Sequence, residues 1–200
     1  MSGKQAAKRL LDVVGASAML ITTAPLWVVL SVWIRWDSPG PALFRQTRIG
    51  RHGRPFPMWK FRTMRVGAEH EWRPPSAAEF ASYVFQDAFD PRITRVGRML
   101  RRTSLDELPQ LVNVLMGHMS LVGPRPEVPE MVALYEPHMH RRHGMRPGLT
   151  GLAQISGRGD LTTGEIMELD LQYCDAWSFS LDLKILARTL GQVLRRSGAR

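Results

Sequence analysis

Two adjacent carboxylates, Asp106 and Glu107, lie directly behind a run of arginines that includes Arg101. Neighbouring acids repel each other, so a fold keeps both of them ionised at low cost only where a cation or solvent offsets the charge. The guanidinium of Arg101 carries fixed positive charge in a fork of donors that fits phosphate oxygens. Carboxylates beside arginines therefore suit chemistry on a phosphate, with a hard divalent metal ion between carboxylate and phosphate.

The acidic pair has a second, structural interpretation, because Ser104 and Glu107 have the spacing of a helix capping box. Pro109 argues against it, since this cap would put the proline where the helix needs a backbone donor. A cap at Asp106 instead puts Pro109 in the free first turn of a helix. Both carboxylates would then stand at the positive end of the helix dipole, which favours their ionised form.

Arg125 lies between two prolines, and the fixed φ angles of Pro124 and Pro126 stiffen its backbone. A stiff backbone reduces the entropy that is lost when the guanidinium binds an anionic group. An arginine in a surface turn is the commoner reason for such a triplet, so the residues alone leave both interpretations open.

The composition limits the class of protein. With 44% hydrophobic and 22% charged residues, the chain can build a core and is not of a disordered type. Its single cysteine, Cys174, excludes a disulfide framework and a cysteine-based metal cage. A net charge of +9 favours an anionic partner, which is nucleic acid, an anionic bilayer or a phosphorylated substrate. The 6 tryptophans favour the bilayer, because tryptophan is enriched where an apolar phase meets water.

An uncharged apolar run covers residues 13–34. As a straight helix with a rise of about 1.5 Å per residue, it is long enough to cross a hydrocarbon core of about 30 Å. A single transmembrane anchor is therefore the simplest interpretation. A cleaved signal peptide fits less well, because the run is long and lacks a clear small-residue cleavage site.

Pro25 and the charged flanks favour a third arrangement, in which the helix dips into one leaflet and returns. The proline removes a backbone donor and kinks the helix, and the hydroxyls of Thr22 and Thr23 can bond the freed carbonyls. Both flanks are basic, with Lys4, Lys8 and Arg9 before the run and Arg35, Arg45, Arg48, Arg51 and Arg54 after it. Since positive charge tends to stay cytoplasmic, both ends are expected on that side. The residues alone leave this arrangement and a straight span equally open.

The remaining periodicity predicts short elements. Residues 42–64 read as a β-hairpin with its turn at residues 51–54. Strand alternation would point Lys60 away from the aromatic face of its neighbours and towards a polar cleft. Residues 93–102 fit a short basic helix, and the glycine-rich residues 146–159 read as a loop. From residue 181 onward, an amphipathic helix fits a membrane surface or core packing equally well.

Five blocks occur in one order, and they are residues 59–64 (WKFRTM), 90–94 (DPRIT), 104–115 (SLDELPQLVNVL), 120–127 (SLVGPRPE) and 146–154 (RPGLTGLAQ). Together they resemble the bacterial sugar transferases, the monotopic phosphoglycosyl transferases. The resemblance extends from about residue 4 to about residue 192. Several long blocks in one order are far more specific than any single short motif.

The resemblance implies an α+β fold in a monotopic membrane protein of the small, single-domain type. It implies a re-entrant helix-break-helix over residues 1–37 and a cytoplasmic interfacial catalytic domain over residues 38–200, with a small β-hairpin and several amphipathic interfacial helices. The family often has Ser-Pro at the break, where this chain has Ala24-Pro25 and lacks the serine hydroxyl. Lys8, Arg9 and Asp12 match the start of the family's helix, although interfacial snorkelling and a local ion pair also explain them.

The implied activity transfers a sugar-1-phosphate from a UDP-sugar to polyprenyl phosphate, releases UMP and begins the assembly of a surface glycan. It would take place at the cytoplasmic face of the bacterial inner membrane. By resemblance, Asp106 forms a covalent phosphoglycosyl intermediate, and Glu107 holds Mg²⁺ with Asp106 beside it. The other residues expected in the substrate pocket are Arg101 for phosphate, Arg125 for the nucleotide end, and Lys60, Arg146 and Gln154. Membrane lipid is a further partner, nucleic acid is not, and a homodimer is compatible with the resemblance.

Two other classes of protein remain. A basic nucleic-acid-binding module explains the charge but leaves the apolar run unexplained, and the sequence contains no known nucleic-acid-binding motif. A non-catalytic membrane-anchored scaffold explains the apolar run but not an acidic pair among arginines. The sugar, the glycan pathway and the oligomeric state stay open.

Overall fold

The computed structural model describes residues 3–84, 90–157 and 160–195. The helices are α1 (Gly3–Asp37), α2 (Arg95–Thr103), α3 (Gln110–Leu115), α4 (Pro129–Val132), α5 (Leu152–Ser156), α6 (Thr163–Asp175) and α7 (Phe179–Arg195). The strands are β1 (Leu43–Ile49), β2 (Pro55–Phe61), β3 (Ser120–Val122) and β4 (Gly148–Thr150). Short 3₁₀ turns cover Arg51–Gly53, Ala68–Glu71, Leu105–Glu107 and Pro137–Gly144. Helices combined with two small sheets agree with the expected α+β class.

The long helix α1 continues without interruption through Pro25. The predicted break is therefore not a gap between two helices, and the re-entrant arrangement stays a prediction. The threonine hydroxyls do bond backbone carbonyls, since Thr23 donates to Met19 O at 2.6 Å and Thr22 donates to Ala18 O at 2.9 Å. These carbonyls lie before the one that Pro25 frees, which belongs to Ile21. Such threonine bonds are associated with helix bending.

Both halves of α1 pack against one body of protein. In the first half, Ala16 is buried in a core cluster that includes Leu121 of β3. In the second half, Ile34 is buried in another cluster with Phe61 of β2 and Leu100 of α2. The two halves of the apolar helix are thus held by elements of the same domain.

The charged side chains near the start of α1 face this body. The Lys8 ammonium donates to Asp182 Oδ2 at 2.7 Å and to Val122 O at 2.8 Å, and Asp12 Oδ1 accepts from Leu121 N at 2.8 Å. Lys8 and Asp12 are both buried. Snorkelling is therefore the wrong interpretation of Lys8 and Asp12, because Lys8 Nζ and Asp12 Oδ1 find their hydrogen-bond partners inside the protein.

The opposite face of α1 is apolar and exposed. Its large exposed side chains are Leu10, Val13, Val14, Ile21, Val28, Val29, Val32, Trp33 and Trp36. Among the described residues, α1 is the one helix long and apolar enough to cross a membrane by length and composition. An apolar face of this size is compatible with membrane association.

The predicted hairpin is confirmed. Strands β1 and β2 are antiparallel, with Leu43 opposite Phe61 and Ile49 opposite Pro55. The turn between them has positive φ angles at His52 (60°) and at the glycine that follows it (72°). Glycine at the second of these positions is favourable, because a left-handed φ costs it little.

The amide of Asn113, on α3, closes the open edge of β2. Asn113 Oδ1 accepts from Trp59 N at 3.0 Å, and Asn113 Nδ2 donates to Pro57 O at 2.7 Å. One side chain thus supplies the donor and the acceptor that a third strand would supply. Asn113 is fully buried, which fixes α3 against the hairpin.

The second sheet pairs β3 with β4 in parallel, with Ser120 opposite Gly148 and Val122 opposite Thr150. The expectation of a plain loop over residues 146–159 is wrong, because β4 and α5 lie within it. The predicted basic helix is confirmed as α2, and the C-terminal amphipathic helix as α7. In α7, Ile185 is fully buried whereas Lys184 and Arg188 are exposed; the side chain of Arg195 lies outside the described part.

Candidate functional site

A cavity of about 770 Å³ lies between the hairpin, α2, the turn Leu105–Glu107 and the helices α5 and α7. Its polar lining residues include Arg48, Lys60, Arg101, Asp106, Glu107, Arg125, Glu127 and Gln154. The cavity therefore contains both predicted carboxylates and four of the five predicted substrate-binding residues.

The acidic pair is held in a tight turn rather than in a helix cap. Ser104 has a left-handed φ of 57°, ends α2 by donating its backbone N–H to Arg101 O at 3.2 Å, and leads into the turn. The N-cap of α3 is Pro109, and no side chain caps it. Both capping interpretations are therefore wrong, for Ser104 and for Asp106 alike. The reversal at Ser104 instead turns the two carboxylates back towards the hairpin and the cavity.

Glu107 is held by two cations from different parts of the chain. Its Oε1 atom lies 3.4 Å from Lys60 Nζ and 3.2 Å from Arg125 Nη2. The charge of Glu107 is the main cause that raises the pKa of Arg125. Burial lowers the pKa of Lys60, and Glu107 opposes that shift. These contacts fix Glu107 between the hairpin and the segment after β3.

Asp106 is 8% exposed and lines the cavity. Burial, followed by the neighbouring charge of Glu107, raises the pKa of Asp106 to about 6, while Lys60, Arg101 and Arg125 act in the opposite direction. At pH 7 to 8 the carboxylate is thus mostly ionised. A partly desolvated carboxylate in a cationic cavity is a competent nucleophile or metal ligand.

Arg101 and Lys60 reach the cavity from separate elements. Arg101 Nε donates to Thr63 Oγ1 at 3.0 Å, and burial lowers the pKa of the Arg101 guanidinium. Lys60 lines the cavity, whereas its neighbour Trp59 does not belong to the described lining. Phe61, on the other side of Lys60, is buried in a core cluster but also lines the cavity. The predicted separation of Lys60 from its aromatic neighbours is therefore confirmed for Trp59 and not for Phe61.

The two predicted residues of the glycine-rich segment have different surroundings. Gln154 lines the cavity from α5, and neither its amide nitrogen nor its amide oxygen has a partner among the described residues. Arg146 does not belong to the described lining. Its Nε instead donates to Gly117 O at 3.0 Å, beyond the end of α3, where Arg9 also donates to Val114 O at 2.7 Å. Arg146 and Arg9 thus stabilise the same helix end.

Sequence reasoning did not single out Arg48 or Glu127. Arg48 lies on the face of β1 that also presents Phe44 and Gln46 to the cavity. The signal was available, because alternation along the hairpin puts these positions on one face with Lys60, the partner of Phe44 in the register. Glu127 is the last residue of the SLVGPRPE block, and its 5% exposure is what marks it as unusual.

Comparison with protein families and with known proteins gives several matches over nearly the whole chain. The family model described as Bacterial sugar transferase matches residues 3–196. Galactosyl transferase CpsE of Streptococcus agalactiae is 45% identical over 196 residues, which cover 97% of this chain and 43% of that protein. The UDP-glucose:undecaprenyl-phosphate glucose-1-phosphate transferase of Caulobacter vibrioides is 45% identical over 200 residues, covering 96% of this chain and 71% of that protein.

A third relative is named for another sugar. The undecaprenyl-phosphate galactose phosphotransferase of Salmonella typhimurium is 42% identical over 198 residues, covering 96% of this chain and 41% of that protein. The chain thus spans less than half the length of two of these three relatives. Relatives that are named for glucose and for galactose leave the sugar unassigned.

Proposed function

Because this chain belongs to the bacterial sugar transferases, we propose that it moves a sugar-1-phosphate from a UDP-sugar to polyprenyl phosphate at the cytoplasmic face of the bacterial inner membrane. The names of two relatives combine undecaprenyl phosphate with a sugar-phosphate transfer. The transfer would begin the assembly of a surface glycan. The observation that carries the proposal is one cavity in which Asp106 and Glu107 meet three cations.

The cations of the cavity reduce the electrostatic repulsion between the two substrates. Donor and acceptor are both phosphate anions, so they repel each other as they approach. Lys60, Arg101 and Arg125 supply positive charge from β2, α2 and the segment after β3, around the two carboxylates. The planar fork of a guanidinium can also donate two parallel hydrogen bonds to two oxygens of one phosphate. The cavity can therefore hold one diphosphate, or two phosphates in succession.

In the first half of the proposed reaction, an Asp106 carboxylate oxygen attacks the phosphorus that carries the sugar. A bond forms between this oxygen and phosphorus, the bond from phosphorus to the bridging oxygen of the diphosphate breaks, and UMP leaves with that oxygen. In the second half, an oxygen of polyprenyl phosphate attacks the same phosphorus. The bond to Asp106 then breaks, which regenerates the carboxylate and forms a polyprenyl diphosphate sugar.

The carboxylate pair fits a magnesium ion. Mg²⁺ is usually held by one or two carboxylates together with substrate phosphates and water. Among the described residues, no group of three or more His, Cys, Asp or Glu side chains could hold a metal by itself. Glu107 and Asp106 would thus hold Mg²⁺ jointly with the diphosphate. When bound, the ion would neutralise charge on the diphosphate as its bond breaks.

The packing of α1 supports a topology in which both helix ends lie on the cytoplasmic side. A straight crossing would separate the helix ends by a hydrocarbon core of about 30 Å. Lys8 and Ile34 pack against one body, which also carries the candidate site. We therefore favour a helix that inserts its apolar outer face into one leaflet and bends at Pro25. This arrangement would hold the cavity at the depth of the lipid acceptor's phosphate.

Turnover with a panel of UDP-sugars tests the function. The protein in detergent or nanodiscs, with Mg²⁺ and one UDP-sugar but no acceptor, should release UMP in a burst of at most one per active site. Adding polyprenyl phosphate should then give steady turnover. The exposed variant Glu168→Gln on α6 serves as a matched charge control and should retain both phases. A scaffold would release no UMP with any donor, and that result would end the proposal.

A further inference from the structure

Two side chains of opposite charge, the partly buried Arg48 and the buried Glu127, line the cavity and have no part in the transfer chemistry described so far. Arg48 projects from β1, where its Nη1 donates to Pro126 O at 3.1 Å and its Nη2 donates to Gln46 Oε1 at 2.8 Å. Glu127 is fixed from the other side, because its backbone oxygen accepts from Ile49 N at 2.8 Å. Both side chains are therefore positioned by strand β1 and the segment that bridges to it.

Arg48 and Glu127 do not satisfy all of each other's hydrogen-bonding groups. Arg48 Nη1 and Glu127 Oε2 are 3.7 Å apart, which is longer than a hydrogen bond of about 2.7–3.2 Å. Arg48 Nε and Glu127 Oε2 are both buried, and neither has a hydrogen-bond partner among the described residues. A buried donor or acceptor without a partner destabilises a fold. The site thus contains one unused donor and one unused acceptor, both on residues that line the cavity.

The chemistry of the pair selects among the groups that enter this cavity. A phosphate oxygen would satisfy Arg48 but would be repelled by the Glu127 carboxylate. A metal ion would satisfy Glu127 but would be repelled by Arg48, and an isoprenoid chain would leave both groups unpaired. A hydroxyl can accept from a guanidinium and donate to a carboxylate at the same time.

We propose that Arg48 and Glu127 form a subsite for a hydroxyl group of the UDP-sugar donor. The inference rests on the proposed function. It concerns a hydroxyl group of the substrate, which the residues proposed to bind phosphate would not contact. The donor has hydroxyls on its hexose and on its ribose. Both lie within a few bonds of the diphosphate, and Glu127 is close enough to Arg125 to raise the pKa of that phosphate-binding guanidinium.

Single-hydroxyl deletions in the donor identify the group. The wild-type protein and Glu127→Ala are each given UDP-glucose and UDP-galactose, their 2-, 3-, 4- and 6-deoxy forms, and forms built on 2′- and 3′-deoxyuridine. The rate of nucleotide release in the acceptor-free burst is measured by rapid quench. Glu130→Gln, an exposed charge on α4, is the matched control. If Glu127→Ala has a lowered Tm, the same series is measured with Glu127→Gln, whose side chain has nearly the same shape as that of the wild type.

In the wild type, one deoxy donor should react about 10- to 100-fold more slowly than its parent, as expected for a hydrogen bond to a charged group. In Glu127→Ala that penalty should shrink to about twofold, whereas Glu130→Gln should keep it. If the penalty that Glu127→Ala removes belongs to a deoxyhexose donor, the subsite binds a hydroxyl of the sugar. If it belongs to a deoxyribose donor, the subsite binds a hydroxyl of the nucleoside. Equal penalties in wild type and variant for every analogue would overturn the subsite but leave the transferase function intact. If the wild type releases no nucleotide from any donor, the function fails and the subsite fails with it.

Discussion

The ammonium of Lys8, near the start of α1, lies 2.7 Å from the carboxylate of Asp182 on α7. The same carboxylate accepts from Tyr173 OH at 2.7 Å and from Trp177 Nε1 at 3.2 Å. Asp182 is fully buried, and Lys8 donates also to the backbone of β3 through Val122 O. The beginning of the apolar helix is therefore tied to the last helix through the centre of the domain.

Removing the positive partner of the Lys8–Asp182 ion pair should lower the free energy of unfolding. Lys8→Met leaves the Asp182 carboxylate buried without its cation, and such a loss typically costs about 3–5 kcal/mol. For a protein of this size that corresponds to a fall in Tm of roughly 6–20 °C. Lys4→Met, which removes an exposed lysine of the same helix, should change Tm by less than about 2 °C. The double variant Lys8→Met with Asp182→Asn should recover part of the loss, and no recovery would contradict the pairing.

Substitutions of the two carboxylates, Asp106 and Glu107, should impair the reaction in different ways. Asp106→Asn should abolish the mass increase of one sugar phosphate that intact-protein mass spectrometry detects after mixing with UDP-sugar and Mg²⁺, because an amide is a far weaker nucleophile. Glu107→Gln should still form the adduct, but about 10²–10³-fold more slowly. Higher Mg²⁺ should restore part of the rate in Glu107→Gln only. Rescue of Asp106→Asn instead would mean that the two roles are reversed.

The topology of α1 can be read by cysteine labelling. In a Cys174→Ser background, Gln5→Cys and Pro39→Cys put one thiol at an exposed position near each end of the apolar helix. A membrane-impermeant maleimide should label both thiols in inverted vesicles and neither of them in spheroplasts. The Cys174→Ser protein, which contains no cysteine, gives the background level of maleimide labelling. Labelling of either site in spheroplasts would restore a straight span.

His143 should make stability depend on pH. Its ring stacks on Tyr135 with centroids 5.9 Å apart, and burial, followed by the charge of Arg142, lowers the pKa of His143 to about 4. The unfolded value is about 6.5, so the folded state binds fewer protons between these values, and stability is lost as pH falls from about 6.5 to 4. After allowance for partial exposure, the loss is about 1–2 kcal/mol.

Thermal melts at pH 7, 6 and 5 measure this effect. His143→Gln should lower Tm at pH 7, because the stacking is lost, but should flatten the decline towards pH 5. His138→Gln, which changes an exposed histidine of the same turn, should keep the wild-type slope. An unchanged slope in His143→Gln would assign the pH dependence to other groups.

Cys174 should react slowly with thiol reagents. Burial, followed by the charge of Asp170, raises the pKa of the Cys174 thiol to about 11. Since only the thiolate reacts, alkylation by iodoacetamide at pH 8 should be about 100-fold slower than for an exposed thiol. The cysteine of Gln5→Cys in the Cys174→Ser background is the exposed reference. Unfolding in urea should remove the difference, and equal rates in the folded state would contradict it.

The features that sequence reasoning predicted correctly are those set by neighbours in the chain. Alternation along residues 42–64 was enough to predict the hairpin and the direction of Lys60 towards the cavity. The spacing of apolar and basic residues was enough for α2 and α7. In each case the pattern reflects the period of one element, which does not depend on the rest of the fold.

The features that were missed depend on distant partners. Lys8 resembled a snorkelling lysine because its partner Asp182 is 174 residues away in the sequence. The tight turn at Asp106 depends on the left-handed Ser104, a conformation that serine rarely adopts and that local propensity does not predict. Arg48 and Glu127 were not paired in advance, since their segments are distant in the sequence and meet through tertiary contacts such as the bridge between Ile49 and Glu127.

The amide of Asn113 that closes the edge of β2 also sets an order of events in synthesis. A two-stranded hairpin is marginal in water by itself, and the edge of β2 within residues 43–61 gains its hydrogen-bond partners from Asn113 only when α3 is available to dock. While the ribosome is still making the segment between them, the hairpin edge is open to pairing with other chains. Lys60 and Glu107 meet after the same docking step. A nascent chain halted before residue 113 would accordingly be exposed to aggregation as well as inactive, and chaperone demand should be greatest over that interval of translation.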